Sequence, residues 1–499
     1  MQMRVSAGGA SGSRSSLWRA VCAIPRAIGT MFRAVWATIV AGGKRLAAQF
    51  RTLADAAKHG DARTRLSFLL MGFGCLTRGQ VLKGIVYLAA EGLFIWYMIA
   101  SGWQYLMKFG TLGTETQHRV WDEEAGIYRV MAGDNSMDIL LFGVVTILLI
   151  VAFWLLYVAS VRASYRAQQL REQGQPLPGW RDELTSLLNE RFHATLLTPP
   201  CLLVFVFTIL PLIFMVLIAF TNFDKTHQPP GNLFTWVGFE NFRDLFWDDP
   251  TKSYTFLHLL GWTMVWAVFA TFTNYLFGML LALTINKKSI RFKKGWRTLF
   301  ILSIAVPQFV TLMLMSQLLS SEGTGGAFNV LLQQLGWISE PIGFLTDGTL
   351  AKITVIVVNM WIGIPYTMLI TTGILMNIPV DMYESARIDG AGPFRTFTNI
   401  TLPYMLFVTT PYIITQFVGN INNFNMIYLL TRGGPLTLDY YQAGKTDLLV
   451  TWLYKQTVDQ QNYNLASTIG ILVFVISAVF SLLVYNSSSS VQKEEQFQF

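Results

Sequence analysis

The chain has 499 residues, of which 53% are hydrophobic and only 13% charged, about half the charged share of an ordinary globular protein. Thirty-six Phe, 18 Tyr and 15 Trp cannot be hidden from water behind so few charges, so a soluble globular chain and a disordered one are both excluded in favour of an integral membrane protein. Three cysteines without C-x-x-C spacing exclude a disulfide scaffold and a cysteine metal site, and a net charge of +8 concentrated near the N-terminus excludes a nucleic-acid binder.

Residues 1–80 read as a basic N-terminal extension. Within it Arg19, Arg26 and Arg33 recur every seventh residue and share one face of a helix, beside Leu17, Trp18, Ile28 and Phe32. Two readings stand: a basic amphipathic helix on the anionic inner leaflet, which the spacing favours, and a basic tail interrupted by Pro25, Gly29, Gly42 and Gly43. A secretory signal fits poorly, because the apolar run 34–43 is short and no small-residue cleavage site follows it.

A spanning helix needs about 20 mostly apolar residues, and eight runs qualify: 83–107, 138–161, 197–221, 256–285, 298–320, 350–378, 404–430 and 465–487. Apart from Asp138 at the very edge of its run, Glu91 is the one carboxylate inside them, read either as an acid on a watery path or, preferably, as a structural partner of a nearby base. The loop 286–297 carries Lys287, Lys288, Arg291, Lys293, Lys294 and Arg297 with no acid, whereas 321–349 carries Glu322, Glu340 and Asp347 with no base. Placing 1–80, 162–196, 286–297, 379–403 and 488–499 in the cytoplasm satisfies this asymmetry, with both termini inside. The expected fold is therefore an all-α membrane protein of eight transmembrane helices: two in 81–196, six in a core over 197–487, and a cytoplasmic tail 488–499.

No motif supports catalysis. A phosphate loop G-x-x-x-x-G-K-[ST] is absent, since Gly42-Gly43-Lys44 lacks both the first glycine and the hydroxyl residue. The five His are scattered, so the sequence offers no metal site, no catalytic residues and no cofactor site.

The stretch 379–403 is the most informative of the polar segments. Pro379 suits a first helical position, Gly390 and Gly392 a helix stop and turn, and Pro393 a second helix start. The expectation is a helix–turn–helix projecting from the membrane, with Met382, Tyr383, Ala386, Phe394 and Phe397 as an apolar docking face beside Glu384 and Asp389.

Glu384-Ser385-Ala386, Asp389-Gly390-Ala391, and then Phe397, Ile400, Leu402 and Pro403 resemble the EAA loop of bacterial ABC importer permeases. Leu430-Thr431-Arg432-Gly433-Gly434-Pro435, Ala443-Gly444-Lys445-Thr446-Asp447, Thr221-Asn222-Phe223 and Val237-Gly238-Phe239-Glu240-Asn241-Phe242 are similar to the maltose/maltodextrin permease subunits of the MalF kind, over about 197–487. The resemblance implies a type I importer permease fold in a bacterial cell membrane. It also implies partners: a second homologous permease, an ABC ATPase dimer that binds the ATP, and an extracellular sugar-binding protein. Glu384, Ser385, Ala386, Asp389, Gly390 and Ala391 would then couple to the ATPase. Two departures are the short segment between the third and fourth runs, which suits a Gram-positive-type cell, and the long basic N-terminal extension.

The solute would sit between runs six and seven. Gln416, Asn420 and Asn423 fall at i, i+4, i+7 and form one amide stripe on a helix, while Gly363 and Pro365 loosen the run that holds Asn359 and Tyr366. Amides donate and accept at once, as sugar hydroxyls do, and Trp361, Tyr366 or Phe424 offers a ring to a sugar face. The competing reading is interhelical hydrogen bonding. The resemblance implies that Asn359, Ile362, Gly363, Tyr366, Gln416, Asn420, Asn423 and Asn425 line an oligosaccharide site, with Gln416 and Asn425 replacing smaller or apolar residues. An ion-coupled secondary sugar transporter would want acids in mid-membrane and repeated halves. An enzyme of lipid-linked sugars would want paired acids or a metal site.

Overall fold

The computed structural model describes residues 36–38, 40–43, 48–123, 126–287, 289–323 and 325–487, so the Arg19–Arg33 pattern and the tail from 488 lie outside the described residues. Packing divides the chain into two units, Thr30–Asn241 and a second that holds Phe242–Phe499.

In the first unit a helix α1 over 48–59 precedes α2 (Ala62–Leu66) and α3 (Phe73–Leu76), which lead into α4 (Val81–Lys108). Residues 48–80 are not a free tail. They fold onto α5 (Ser136–Glu172), where Leu53 and Ala56 pack against Val158 and Val161. The buried Arg78 guanidinium holds this hook closed, donating to Asp61 Oδ1 at 2.5 Å, Thr64 Oγ1 at 2.8 Å and the carbonyls of Gly74 and Ser164 at 3.0 and 2.9 Å. Gln168 Oε1 of α5 accepts from the Asp61 N–H and the Thr64 hydroxyl. Glu91 accepts from the Met71 N–H at 2.7 Å, so its carboxylate braces the same hook through backbone rather than through a base.

Between α4 and α5 stands the only strand pair among the described residues. Strands β1 (His118–Asp122) and β2 (Ile127–Met131) pair antiparallel, with the rings of Trp121 and Tyr128 edge to face. Neither strand alternates apolar with polar residues, and only their content of Val, Ile, Tyr and Trp favours extended backbone. Its base is stapled by Asp134, whose carboxylate accepts from Lys108 Nζ at 2.5 Å and the Thr114 N–H at 3.0 Å. The unit continues through α6 (Trp180–Leu188) and α7 (Phe192–Ile218).

The second unit is arranged around α8 (Pro250–Asn286), 37 residues long, capped by the Asp249 carboxylate on the N–H groups of Thr251 and Lys252. It is followed by α9 (Lys293–Ala305), α10 (Gln308–Leu318), α11 (Ala327–Gln334), α12 (Gly348–Leu375), α13 (Val380–Ile388), α14 (Pro393–Thr396), α15 (Leu402–Ile421), α16 (Phe424–Leu430), α17 (Leu449–Val458) and α18 (Tyr463–Ser487). Helix α8 packs along α12 and α15. Its buried indoles tie neighbours to it: Trp262 donates to the Thr446 carbonyl at 3.1 Å and Trp266 to the Asn420 carbonyl at 3.0 Å. The Gly433–Asp447 motif builds the loop over these ends. The fully buried Asp447 carboxylate accepts from the Gly444 N–H, Thr451 Oγ1 and Lys455 Nζ, and Gly433, at φ +79°, leaves room where a side chain would overlap that carboxylate.

Six helices among the described residues are long and apolar enough to cross a membrane, fewer than the eight expected; α9 and α10 would make a seventh if counted as one span. The run 298–320 is bent by 85°. Pro307 has no N–H to donate and pushes Val306 to an extended ψ of 125°, which ends α9. The run 404–430 is also not continuous: α15 stops at Ile421 and α16 starts after Asn423, whose side chain caps it by accepting from the Met426 N–H at 3.3 Å. Clustered Asn side chains compete for backbone partners and favour such a break.

Burial alone would raise the Asp61 carboxyl, but the Thr64 N–H and the Arg78 guanidinium outweigh it and hold the group below the usual carboxylate range. This contribution to stability is present at neutral pH, above the unfolded carboxyl's pKa, and is lost as the pH falls through the lowered folded one. Asp61→Ala strands a guanidinium that is 1% exposed and, with Asp61 itself partly solvated, should cost about 2 kcal/mol. Faster proteolysis within 48–80 in detergent, with α5 intact, is the expected readout.

Candidate functional site

Two cavities inside the second unit meet at Gln416, which lines both. The larger, 340 Å3, lies at the break between α15 and α16 and is lined by Gln308, Gln416, Gly419, Asn420, Asn422, Asn423, Phe424 and Asn425. The smaller, 40 Å3, lies where α8, α12 and α15 meet, among Thr271, Asn274, Gly363, Tyr366, Tyr412 and Gln416. None of the residues lining either cavity is Asp, Glu, Lys or Arg.

Gln416, Asn420 and Asn423 do come together along one recess, and two of these three amides also hydrogen-bond between helices. Asn420 Nδ2 donates to Thr271 Oγ1 at 3.0 Å, and Asn420 Oδ1 accepts from Asn423 Nδ2 at 3.2 Å, so these two amides bind helix to helix while bordering the large recess. Gln416 and the exposed Asn425 face the recess beside them. Gly363 and Tyr366 line the small cavity. Asn359 and Ile362 line neither: Asn359 is buried with Nδ2 turned to the Ala270 carbonyl at 3.5 Å, and Ile362 packs on the cluster of Trp262, Trp266 and Val358. Both lie on the part of α12 that abuts α8, where a polar side chain finds only a backbone carbonyl.

Gln308, Thr271, Asn274 and Tyr412 were not anticipated. Thr271 and Asn274 carry a signal after all, as part of a Thr-x-Thr-Asn cluster in the middle of an apolar run, where polar groups tend to face a cavity or a neighbouring helix. Gln308 is placed by the Pro307 bend, and nothing in the local pattern marks Tyr412.

The segment 379–403 forms the expected helix–turn–helix. Pro379 caps α13 rather than starting it, and α14 runs through a wide turn at Phe397–Thr401 into α15. Gly390 adopts φ +72° and donates its N–H to the Arg387 carbonyl, while the Ala391 N–H reaches the Ala386 carbonyl at 2.9 Å, closing the helix end. Glu384, Ser385, Asp389 and Gly390 are exposed, but the expected apolar face is divided. Tyr383 and Ala386, three residues apart, turn inward; Tyr383 and Phe397 pack on Ile378 and Met405, and the Tyr383 hydroxyl lies 3.1 Å from Thr401 Oγ1. Val380, Met382, Ile388 and Phe394 form the exposed apolar surface. The same inner cluster holds Tyr275 and Tyr412 of the small cavity wall, so the projecting hook and the cavity share one packed core.

The profile of a family described as "Binding-protein-dependent transport system inner membrane component" matches residues 274–493. The chain is 33% identical over 431 residues to the galactooligosaccharides transport system permease protein GanP of Bacillus subtilis, covering 85% of this chain and 97% of that protein. It is 32% identical over 434 residues to the maltodextrin transport system permease protein MdxF of the same organism, covering 86% and 95%. The maltose/maltodextrin transport system permease protein MalF of Escherichia coli is 36% identical over 266 residues, 52% of this chain and 51% of that protein.

Because space around Gly390 is open, substitution there acts through backbone strain alone. Gly390→Ala should cost about 1 kcal/mol and speed tryptic cleavage between Arg387 and Arg395, whereas Gly390→Asn, which tolerates the left-handed region, should stay near the parent rate.

Proposed function

The chain belongs to the family of binding-protein-dependent transport system inner membrane components, as a non-catalytic permease subunit whose ATP is hydrolysed by a partner, and we propose that it forms half of the import path for a neutral oligosaccharide, maltodextrin being the leading candidate. The observation that carries this reading is the recess at Gln416–Asn425: amides and one aromatic ring, uncharged throughout, with room for part of a sugar chain. An ion or amino acid would require charged counter-groups, and coupling to an ion gradient gains no support from such a lining. Relatives named for maltodextrin and for galactooligosaccharides both point to glycan chains, and the amides suit either.

In this reading Asn420, Asn423, Asn425 and Gln416 meet sugar hydroxyls, Gly363 and Tyr366 border the way on, and Asn359 and Ile362 position α12 against α8. A second homologous permease completes the path. An extracellular binding protein delivers the sugar, and an ABC ATPase dimer in the cytoplasm grips the hook around Glu384, Ser385, Asp389, Gly390 and Ala391 by its exposed Met382, Ile388 and Phe394. Ala386 supports that grip from inside, being buried and accepting the Ala391 N–H that closes the helix end. Both termini lie in the cytoplasm of a bacterial cell, and the chain itself holds no cofactor. Closing of the ATPases would move the hook, and through the shared core of Tyr383, Phe397, Tyr275 and Tyr412 the cavity walls would move with it.

Maltotriose uptake into cells should continue with a proton uncoupler present and stop when the partner ATPase loses its phosphate-loop lysine. Gln416→Leu should lower that uptake by roughly tenfold, the scale of one lost hydrogen bond in a site. Uptake by this chain alone, or uptake abolished by the uncoupler with ATP maintained, would refute the proposal.

A further inference from the structure

The small cavity has room for about one or two water molecules and is far too narrow for a sugar ring. Its wall holds an anomaly. The side-chain oxygen of Asn274 is buried and has no hydrogen-bond partner among the described residues. Buried acceptors are nearly always paired, so an acceptor without a protein partner on a residue that lines a cavity takes its partner from what enters that cavity, water or a solute hydroxyl. A second observation concerns the opposite wall. Gly363 of α12 lies so close to the Asn274 amide that a Cβ on it would overlap the Asn274 nitrogen, so α8 and α12 are drawn together at this point because one residue has no side chain and the other ends in a flat amide. Tyr366 and Tyr412 complete the constriction, and Gln416 connects it with the large recess. Tyr275, next to Asn274, packs in the cluster that also receives Tyr383 and Phe397 from the hook.

From this geometry we infer that Asn274 is a further sugar-contacting residue, at an inner subsite that opens when α8 separates from α12 at Gly363. The inference rests on the import reading above and goes beyond it in assigning a residue on α8. The amides then form a relay: Asn420 and Asn423 border the recess, Gln416 stands between the two spaces, and Asn274 is next. In the narrow state its oxygen has no protein partner and can be met by water at most. A sugar hydroxyl arriving from Gln416 supplies the missing donor, while the Asn274 NH2 group, released from Gly363, donates to a neighbouring hydroxyl. A passing hexose thereby exchanges one set of amide hydrogen bonds for another instead of losing them at the constriction, and an apolar solute gains nothing from the same step.

The test uses the full chain reconstituted in liposomes with its partner permease, ATPase dimer and binding protein, with labelled maltotriose inside or outside and ATP hydrolysis measured together. Asn274→Leu keeps the bulk but removes donor and acceptor. It should lower the sugar moved per ATP hydrolysed by roughly tenfold, and Asn274→Ser, which retains a hydroxyl, by about threefold. Should the leucine variant fail to assemble, the serine variant is read in the same way. A ratio equal to the parent's in an assembled variant overturns the inference. So does a loss of transport and hydrolysis in equal proportion, which marks Asn274 as a packing wedge. A parent complex that moves no oligosaccharide defeats the import reading and this one with it, whereas normal parent transport with indifferent variants defeats this one alone.

Discussion

The break between Ile421 and Phe424 is the feature on which the site depends, and it exists because its loose ends are paired. A helix that stops within an apolar bundle leaves carbonyls without intrahelical partners, and in lipid each would be costly. Here the Trp266 indole and the Asn423 N–H both serve the Asn420 carbonyl, Val418 accepts from the Asn422 N–H and side chain, and the Asn423 side chain starts the next helix. With its backbone settled, the break can turn Asn422 and Asn425 toward the recess beside Gln416 and Phe424. A continuous helix would have carried α16 straight on and left no recess at that place.

Helix α8 is the counterpart of that break. On one stretch it supplies the indole that caps α15, one turn later Thr271 receives the Asn420 amide, and further on Tyr275 joins the core beneath the hook, where its hydroxyl lies 2.7 Å from Thr409 Oγ1. Stabilising packing and cavity-lining polar groups are thus interleaved on one helix at intervals of about one turn. Tyr383 and Phe397 of the hook belong to the same packed cluster as Tyr275 and Tyr412 of the small-cavity wall, so the two are parts of one core.

Much of this was legible in the residues. The turn glycines and prolines of 379–403 specify a helix–turn–helix, and the spacing of Gln416, Asn420 and Asn423 places three amides together. What escaped was set by tertiary contacts. Hydropathy sees 298–320 and 404–430 as continuous because it averages over Pro307 and over the asparagines that bend or end them. Tyr383 and Ala386 looked like a docking face because periodicity defines an apolar side but not whether it meets a partner or the chain's own core. The resemblance implies a sugar-lining role for Asn359, and no local pattern reveals that α8 lies against it. The β1–β2 ribbon was missed for a related reason: ten strand residues in a charged loop carry little pattern.

That ribbon has a consequence for how this protein family can vary. Its foot is fastened by Asp134 to Lys108 and Thr114, so the distance between α4 and α5 is set there and not at the tip. Extra chain spliced in beyond Asp122 would cost little more than loop-closure entropy and would leave the helices in register. Growth of a large accessory domain at such a position needs no rebuilding of the bundle, which makes the ribbon a natural grafting point for lineage-specific additions.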